Sequence, residues 1–171
     1  MAAFTQIGRI VLAEALLGMD MFLAVGIGDP AWDNEAPPST PEEQAIRDAM
    51  ISGMTDLTET VGLTRVRDKF FVKPDQNGTI PMSDGSVYAQ SAEPTSTVYV
   101  RFQLDLADAN FTLRESGIFV GSQIAEGVPA GQMYIPLEDV ISVGRIIQAD
   151  RYPAIVRDGS LSQTFSTVLT M

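Results

Sequence analysis

The chain has 171 residues, enough for one domain of ordinary size or a domain with an arm, and its 45% hydrophobic content supplies a real core. It has no Cys and no His, which excludes disulfides and thiolate metal sites and removes the commonest general base, triad base and zinc ligand together. The formal net charge of −11 opposes nucleic-acid phosphates and anionic lipid, or serves only solubility, and no basic patch offsets it: Arg65, Arg67 and Lys69 alternate, but Asp68 sits beside them.

In chain order, Phe4, Ile7, Ile10, Val11 and Ala15 or Leu17 recur at helical spacing and predict a helix over about 4–17, with Thr5 as cap and Gly18 as stop. The stretch does not read as a signal peptide, since it lacks a basic n-region and Arg9 and Glu14 interrupt it. No segment has the roughly 18 uninterrupted apolar residues of a membrane span. A soluble protein made without secretion signals is expected. The stripe of Phe4, Ile7, Ile10 and Val11 needs a cover, so residues 1–18 read as part of the core or as a docking arm.

Met21 to Ile27 is a short apolar run that reads as a buried strand. Gly26 and Gly28 behind it suggest a nucleotide loop only superficially: the third glycine is missing and Asp29-Pro30 follows where a helix should start. Gly28 to Ser39 reads as a loop. Its carboxylates Asp29, Asp33 and Glu35 suit either a Ca²⁺ ion or a solvated acidic loop, but lack EF-hand spacing. Trp32 among them is an interface anchor or packs on the helices. Thr40-Pro41-Glu42-Glu43 is a helix start, with Thr40 as cap, Pro41 in the first position and Glu43 reaching back to the Thr40 amide. That helix runs over about 41–52 and ends at Gly53.

From Gly62 onward the pattern changes to strands and turns. Thr64 to Lys73 reads as one strand. Asn77-Gly78 and Asp84-Gly85 are turns, with positive φ available to the first pair. Val87 to Gln90 reads as a short edge strand. Val98, Val100, Phe102, Leu104 and Leu106 alternate with Tyr99, Arg101, Gln103 and Asp105, the period of a half-buried strand. A second strand, Phe111 to Val120, follows a polar connector and reads as its antiparallel partner. Inside it Arg114 and Glu115 form a structural pair with Gly117, which permits a bulge or close backbone approach, and Phe119; alternatively Glu115 is a functional carboxylate. Further strands are expected at 132–135, 142–148, 154–157 and 164–170.

Several of these residues together resemble the baseplate-proximal domains of tailed-bacteriophage tail-fibre or tail-collar proteins. The likeness rests on Leu23-Ala24-Val25-Gly26-Ile27-Gly28-Asp29-Pro30-Ala31-Trp32, Pro37-Pro38 with Glu43, Val61-Gly62-Leu63, Phe71-Val72-Lys73-Pro74-Asp75 with Gly78, Tyr99-Val100-Arg101-Phe102, and Leu113-Arg114-Glu115-Ser116-Gly117-Ile118-Phe119. It implies a virion structural protein, made in the host bacterial cytoplasm, that joins fibres or other parts to the baseplate. Members that are whole fibres continue into a repetitive shaft, which these residues lack, so an adaptor is expected rather than a receptor-binding fibre.

The expected fold is α+β and β-rich, with two helices on a mostly antiparallel sheet or sandwich, and residues 19–171 form one domain. No catalysis, no cofactor, no metal, no nucleic acid and no membrane is expected. The expected partners are other baseplate and tail-fibre proteins, with the chain present in multiple copies. Two other classes stay open. One is a glycan-binding or glycan-cleaving module with Trp32, Tyr99 and Tyr134 as stacking platforms and Glu115 with Asp105 as carboxylates. The other is a tail-assembly chaperone that never enters the particle.

Overall fold

The computed structural model describes residues 2–171, and among these the chain is α+β and dominated by antiparallel strands. Helix α1 (Gln6–Leu17) begins where Thr5 Oγ1 accepts the Gly8 amide at 3.0 Å, a cap worth about 1 kcal/mol, and stops at Gly18. Strand β1 (Met21–Gly26) is buried at every position, as its unbroken apolar sequence requires. The segment read as a loop contains a 3-10 helix, Pro30–Asn34, capped by the Asp29 side chain on the Ala31 amide. Helix α2 (Pro41–Ser52) follows, with Thr40 Oγ1 accepting the Glu43 amide. The Glu43 carboxylate reaches one residue further back than expected, taking the Ser39 amide at 2.7 Å and its hydroxyl at 2.9 Å, and these bonds hold its pKa below the usual range.

The remaining strands are β2 (Thr60–Arg65), β3 (Asp68–Pro74), β4 (Ile80–Pro81), β5 (Val87–Gln90), β6 (Thr97–Leu104), β7 (Thr112–Val120), β8 (Gln123–Ile124), β9 (Tyr134–Pro136), β10 (Val140–Ser142), β11 (Arg145–Val156) and β12 (Gln163–Thr170). They form a five-stranded sheet of order β11-β7-β1-β2-β9, a second of order β12-β6-β3-β5-β4, and the small pair β10-β8. The chain divides into two compact units. The first comprises residues 2–20, Val66–Gln103 and Thr164–Met171, and the second Met21–Arg65 and Leu104–Gln163.

In the first unit, β6 shows the expected alternation: Val98, Val100 and Phe102 are at most 1% exposed while Tyr99, Arg101 and Gln103 are half-buried. Asp68 and Arg101 pair directly across β3 and β6 and join in a salt bridge. Gly78 is required not by positive φ but by close approach, since a Cβ there would lie 2.1 Å from the Tyr88 carbonyl oxygen. In the second unit, Phe22, Ala24, Leu57, Leu63 and Phe119 form a buried cluster under the sheet.

Four sequence expectations need correction. Thr64 to Lys73 is two strands, because the chain leaves one sheet at Arg65 and enters the other at Asp68. The segments 97–104 and 112–120 are not hairpin partners. β7 pairs with β1 and β11, and β6 with β3 and β12. Their connector is a built turn: Arg157, itself buried, donates to the Asp105 and Asp108 carbonyls, and Ala109 takes φ of 44°. Leu106 therefore falls outside the strand and is exposed. Segments 142–148 and 154–157 belong largely to one long strand, β11, whose pairing with β7 slips between Ile146 and Gln148 and between Arg151 and Ile155. The second slip contains Pro153, which has no amide to give to the ladder. Val87 to Gln90 lies inside its sheet, with the two-residue β4 beyond it.

Candidate assembly surfaces

The polar residues singled out in the second unit converge on one knot, and each is spent on the fold. Arg114 forks onto Asp33, Nε to Oδ1 at 2.8 Å and Nη2 to Oδ2 at 2.7 Å, and Nη1 donates to the Ile27 carbonyl at 3.1 Å. This ties the 3-10 helix to β7 and, through the guanidinium, holds the Asp33 carboxyl below its ordinary pKa. Glu115 is fully buried and accepts the amides of Thr58 at 3.1 Å and Glu59 at 2.8 Å, which pins the segment leading from α2 to β2. The Tyr152 hydroxyl donates to the Glu115 carbonyl at 2.9 Å, and burial pushes its pKa up.

The glycines explain why this knot closes. A Cβ on Gly26 would sit 2.6 Å from Glu115 Oε1, and one on Gly28, at φ of +58°, would sit 2.3 Å from the Trp32 ring. The pair of glycines is thus a double notch for a carboxylate and an indole. Gly117 faces a similar restriction, with Ile146 Cδ1 2.8 Å from where its Cβ would be, beside the slip in β11. Phe119 lies in the buried cluster.

Trp32 is half-buried, and the guanidinium of Arg151 stacks 3.4 Å from its ring centroid. Arg151 also reaches Glu35 at 3.8 Å. Sequence reading missed Arg151, because nothing local marks a β-strand arginine as the lid of a distant indole. The three carboxylates of the acidic loop therefore serve separate ends: Asp29 caps, Asp33 binds Arg114, and Glu35 faces Arg151. Among the described residues no cluster of three or more acidic side chains is arranged to hold a metal ion.

The glycan-cleaving arrangement fails on geometry. Glu115 has no exposed surface for a sugar to reach, and both its oxygens are occupied by backbone amides. Tyr134 is half-buried with its hydroxyl on the Val61 carbonyl, and burial moves its pKa to about 12. Tyr99, in the first unit, packs against Phe70 at 5.1 Å between centroids.

Several large apolar side chains also face outward. Around α1, Phe4 is 62% exposed, Ile7 74%, Val11 54% and Leu12 46%, whereas Ala13 is buried and Ile10 is half-buried. The expected stripe is thus split, with Leu12 joining the outer residues and Ile10 leaving them. On α2, Ile46 is 71% and Met50 51% exposed. Between the last turns of α2 and β11 lies a groove of about 460 Å³, floored by Ile51, Met54, Ile146 and Ile147 and flanked by Asp48 and Asp150. No helix among the described residues is long and apolar enough to cross a membrane.

No curated protein matches this chain. A family model described as "Baseplate wedge 3 tail fiber network component" matches residues 1–171, its whole length. Buried chemistry, outward apolar helices and this match agree: the chain belongs to the baseplate wedge 3 tail fiber network component family, and is a structural component of a phage baseplate.

Proposed function

We propose that the chain is an adaptor, present in several copies, that joins tail fibres or other tail parts to the baseplate through protein–protein contacts. The observation that carries this reading is the inversion of its side chains. Apolar residues on both helices, Ile7, Val11, Ile46 and Met50, and Phe4 just ahead of the first are more than half exposed, while Arg114 and Glu115 are buried in structural bonds. Scattered exposed apolar residues are ordinary on any protein, but a run of them along a short helix marks a surface that a partner covers. The net charge of −11 argues against nucleic acid as that partner.

The test is a photo-cross-linking amino acid placed at Ile46 in phage grown to completion. Purified particles should then contain the chain covalently joined to other baseplate or fibre polypeptides. Particles that lack the chain while infected cells contain it overturn the adaptor reading and favour the assembly chaperone.

A further inference from the structure

From Asp33 to Asp56 not one residue is buried, and only Pro38, Arg47, Ile51 and Met54 are half-buried. Helix α2 lies within this stretch. The bonds that shape it are local: the Thr40 cap, Glu43 on Ser39, Gln44 on Asp48 at 2.7 Å and the Ser52 hydroxyl on the Ala49 carbonyl. The side-chain bonds seen between α2 and β11 are long, Arg47 Nη2 to the Arg151 carbonyl at 3.4 Å and Arg151 Nη1 to the Met50 sulfur at 3.8 Å. The two ends of the stretch are held otherwise. Arg114 forks onto Asp33 at one end, and Glu115 takes the amides of Thr58 and Glu59 at the other, beside the buried Leu57. Two consecutive residues of β7 thus staple both ends of an excursion whose middle buries nothing.

We propose that residues 35–56 form a strap that opens from the second unit as one piece in the free chain, while the sheet stays closed and the two β7 staples bound the opening. A helix of about 12 residues is marginal in water by itself, so α2 depends on packing to stay in place. That packing comes from the half-buried Ile51 and Met54 against Ile146 and Ile147 along the α2–β11 groove. Opening the strap uncovers no fully buried side chain of its own and breaks neither staple. Strand β1 is buried at all six positions, so its amides open only with the core. A strap also differs from a fraying helix: fraying protects the middle of a helix more than its ends, whereas one opening exposes every amide together. Ile46 and Met50, 71% and 51% exposed, ride on the strap, so a partner that covers them also fixes its position. The inference concerns the free chain and does not rest on the adaptor reading.

Amide hydrogen exchange of the purified full-length chain, resolved residue by residue, tests this. Corrected for intrinsic chemistry, the amides from Ala45 to Gly53 should share one protection level and exchange at least about a hundredfold faster than those of β1 and β7. Asp33→Asn removes one staple. It should carry the fast exchange back to the Trp32 and Glu35 amides, which bond to the Asp29 and Trp32 carbonyls, and leave the α2 profile as it was. A smaller ratio between α2 and β1, protection that peaks in the middle of α2, or Trp32 and Glu35 amides unmoved by Asp33→Asn each overturns the inference. If Asp33→Asn does not fold, the wild-type profile alone decides. A strap protected as well as β1 in a chain that still cross-links to other tail proteins from Ile46 refutes the opening and leaves the adaptor reading standing.

Discussion

Strand β7 buries Arg114, Glu115 and Ser116 among its apolar neighbours, whereas α1 and its lead-in residue Phe4 leave four large apolar side chains more than 45% exposed. Both regions go against the simplest rule of inside and outside, and for different reasons. In β7 each buried polar group has a partner within hydrogen-bond reach, so the desolvation cost is offset locally. In α1 the outer residues have no such local compensation, and the apolar surface stays in water until something covers it. Chemically reactive side chains can therefore be the structural part of a molecule, and inert ones the functional part.

The largest effect expected on the β7 side is from its apolar anchor. Phe119 has no exposed surface and packs with Phe22 and Leu63, so Phe119→Ala should cost about 3–5 kcal/mol and lower the melting temperature by roughly 10 °C. Next comes the carboxylate. Glu115→Ala strands the Thr58 and Glu59 amides and should cost about 2–4 kcal/mol, read by chemical denaturation. Glu115→Gln keeps an acceptor and should cost less. Equal stability of Glu115→Ala and wild type would mean that water satisfies those amides, and the contrast with α1 would lose its basis.

How legible this was in the sequence depends on range. The helix start at Thr40-Pro41, the alternation from Thr97 to Leu104 and the buried run Met21–Gly26 are local patterns, and each became the element expected. Pairing is not local. The alternation continues through Val66 and Arg67 although the chain changes sheets there, because a period of two reports a strand's faces and not its neighbours. For the same reason two adjacent strands, β6 and β7, looked like a hairpin and went to different sheets. At the candidate site, Arg114 and Glu115 were visible as a charged pair inside a strand, but Asp33 and the Thr58–Glu59 amides that hold them are far away in the chain. Gly26 and Gly28 stood out, yet the carboxylate and the indole that need the space reach them only in the folded chain. Exposure of Leu12 rather than Ile10 depends on how α1 rolls on its own unit, which periodicity alone leaves free.

A smaller effect separates the ion pair from the carboxylate cage. Arg114 lowers the folded-state pKa of Asp33, so the contribution is complete above the unfolded value of about 3.9 and is lost as pH falls through the lower folded value. Asp33→Asn should therefore flatten part of the acid limb below about pH 4. Trp32, the chain's single tryptophan, reports it by fluorescence from the same 3-10 helix. Glu43, Asp84 and Asp158 shift in the same direction through local hydrogen bonds and remain in the variant, so the limb becomes shallower without vanishing.

The smallest effect on folding is expected on α1, and it is the one that most sharpens the contrast. Val11 is 54% exposed, so Val11→Ser removes little that folding of the isolated chain has buried. Its cost in dilute solution should stay within about 0.5 kcal/mol, or a melting shift of roughly 1–2 °C. The same change in an assembled tail removes a methyl-bearing side chain from whatever surface covers the helix, and there its effect on retention in particles should exceed its effect on folding. A melting drop as large as that of Phe119→Ala would show that Val11 is packed within its own chain. The apolar side of α1 would then be core like the cluster beneath β7, and the division between structural polar groups and functional apolar ones would fail at its second half.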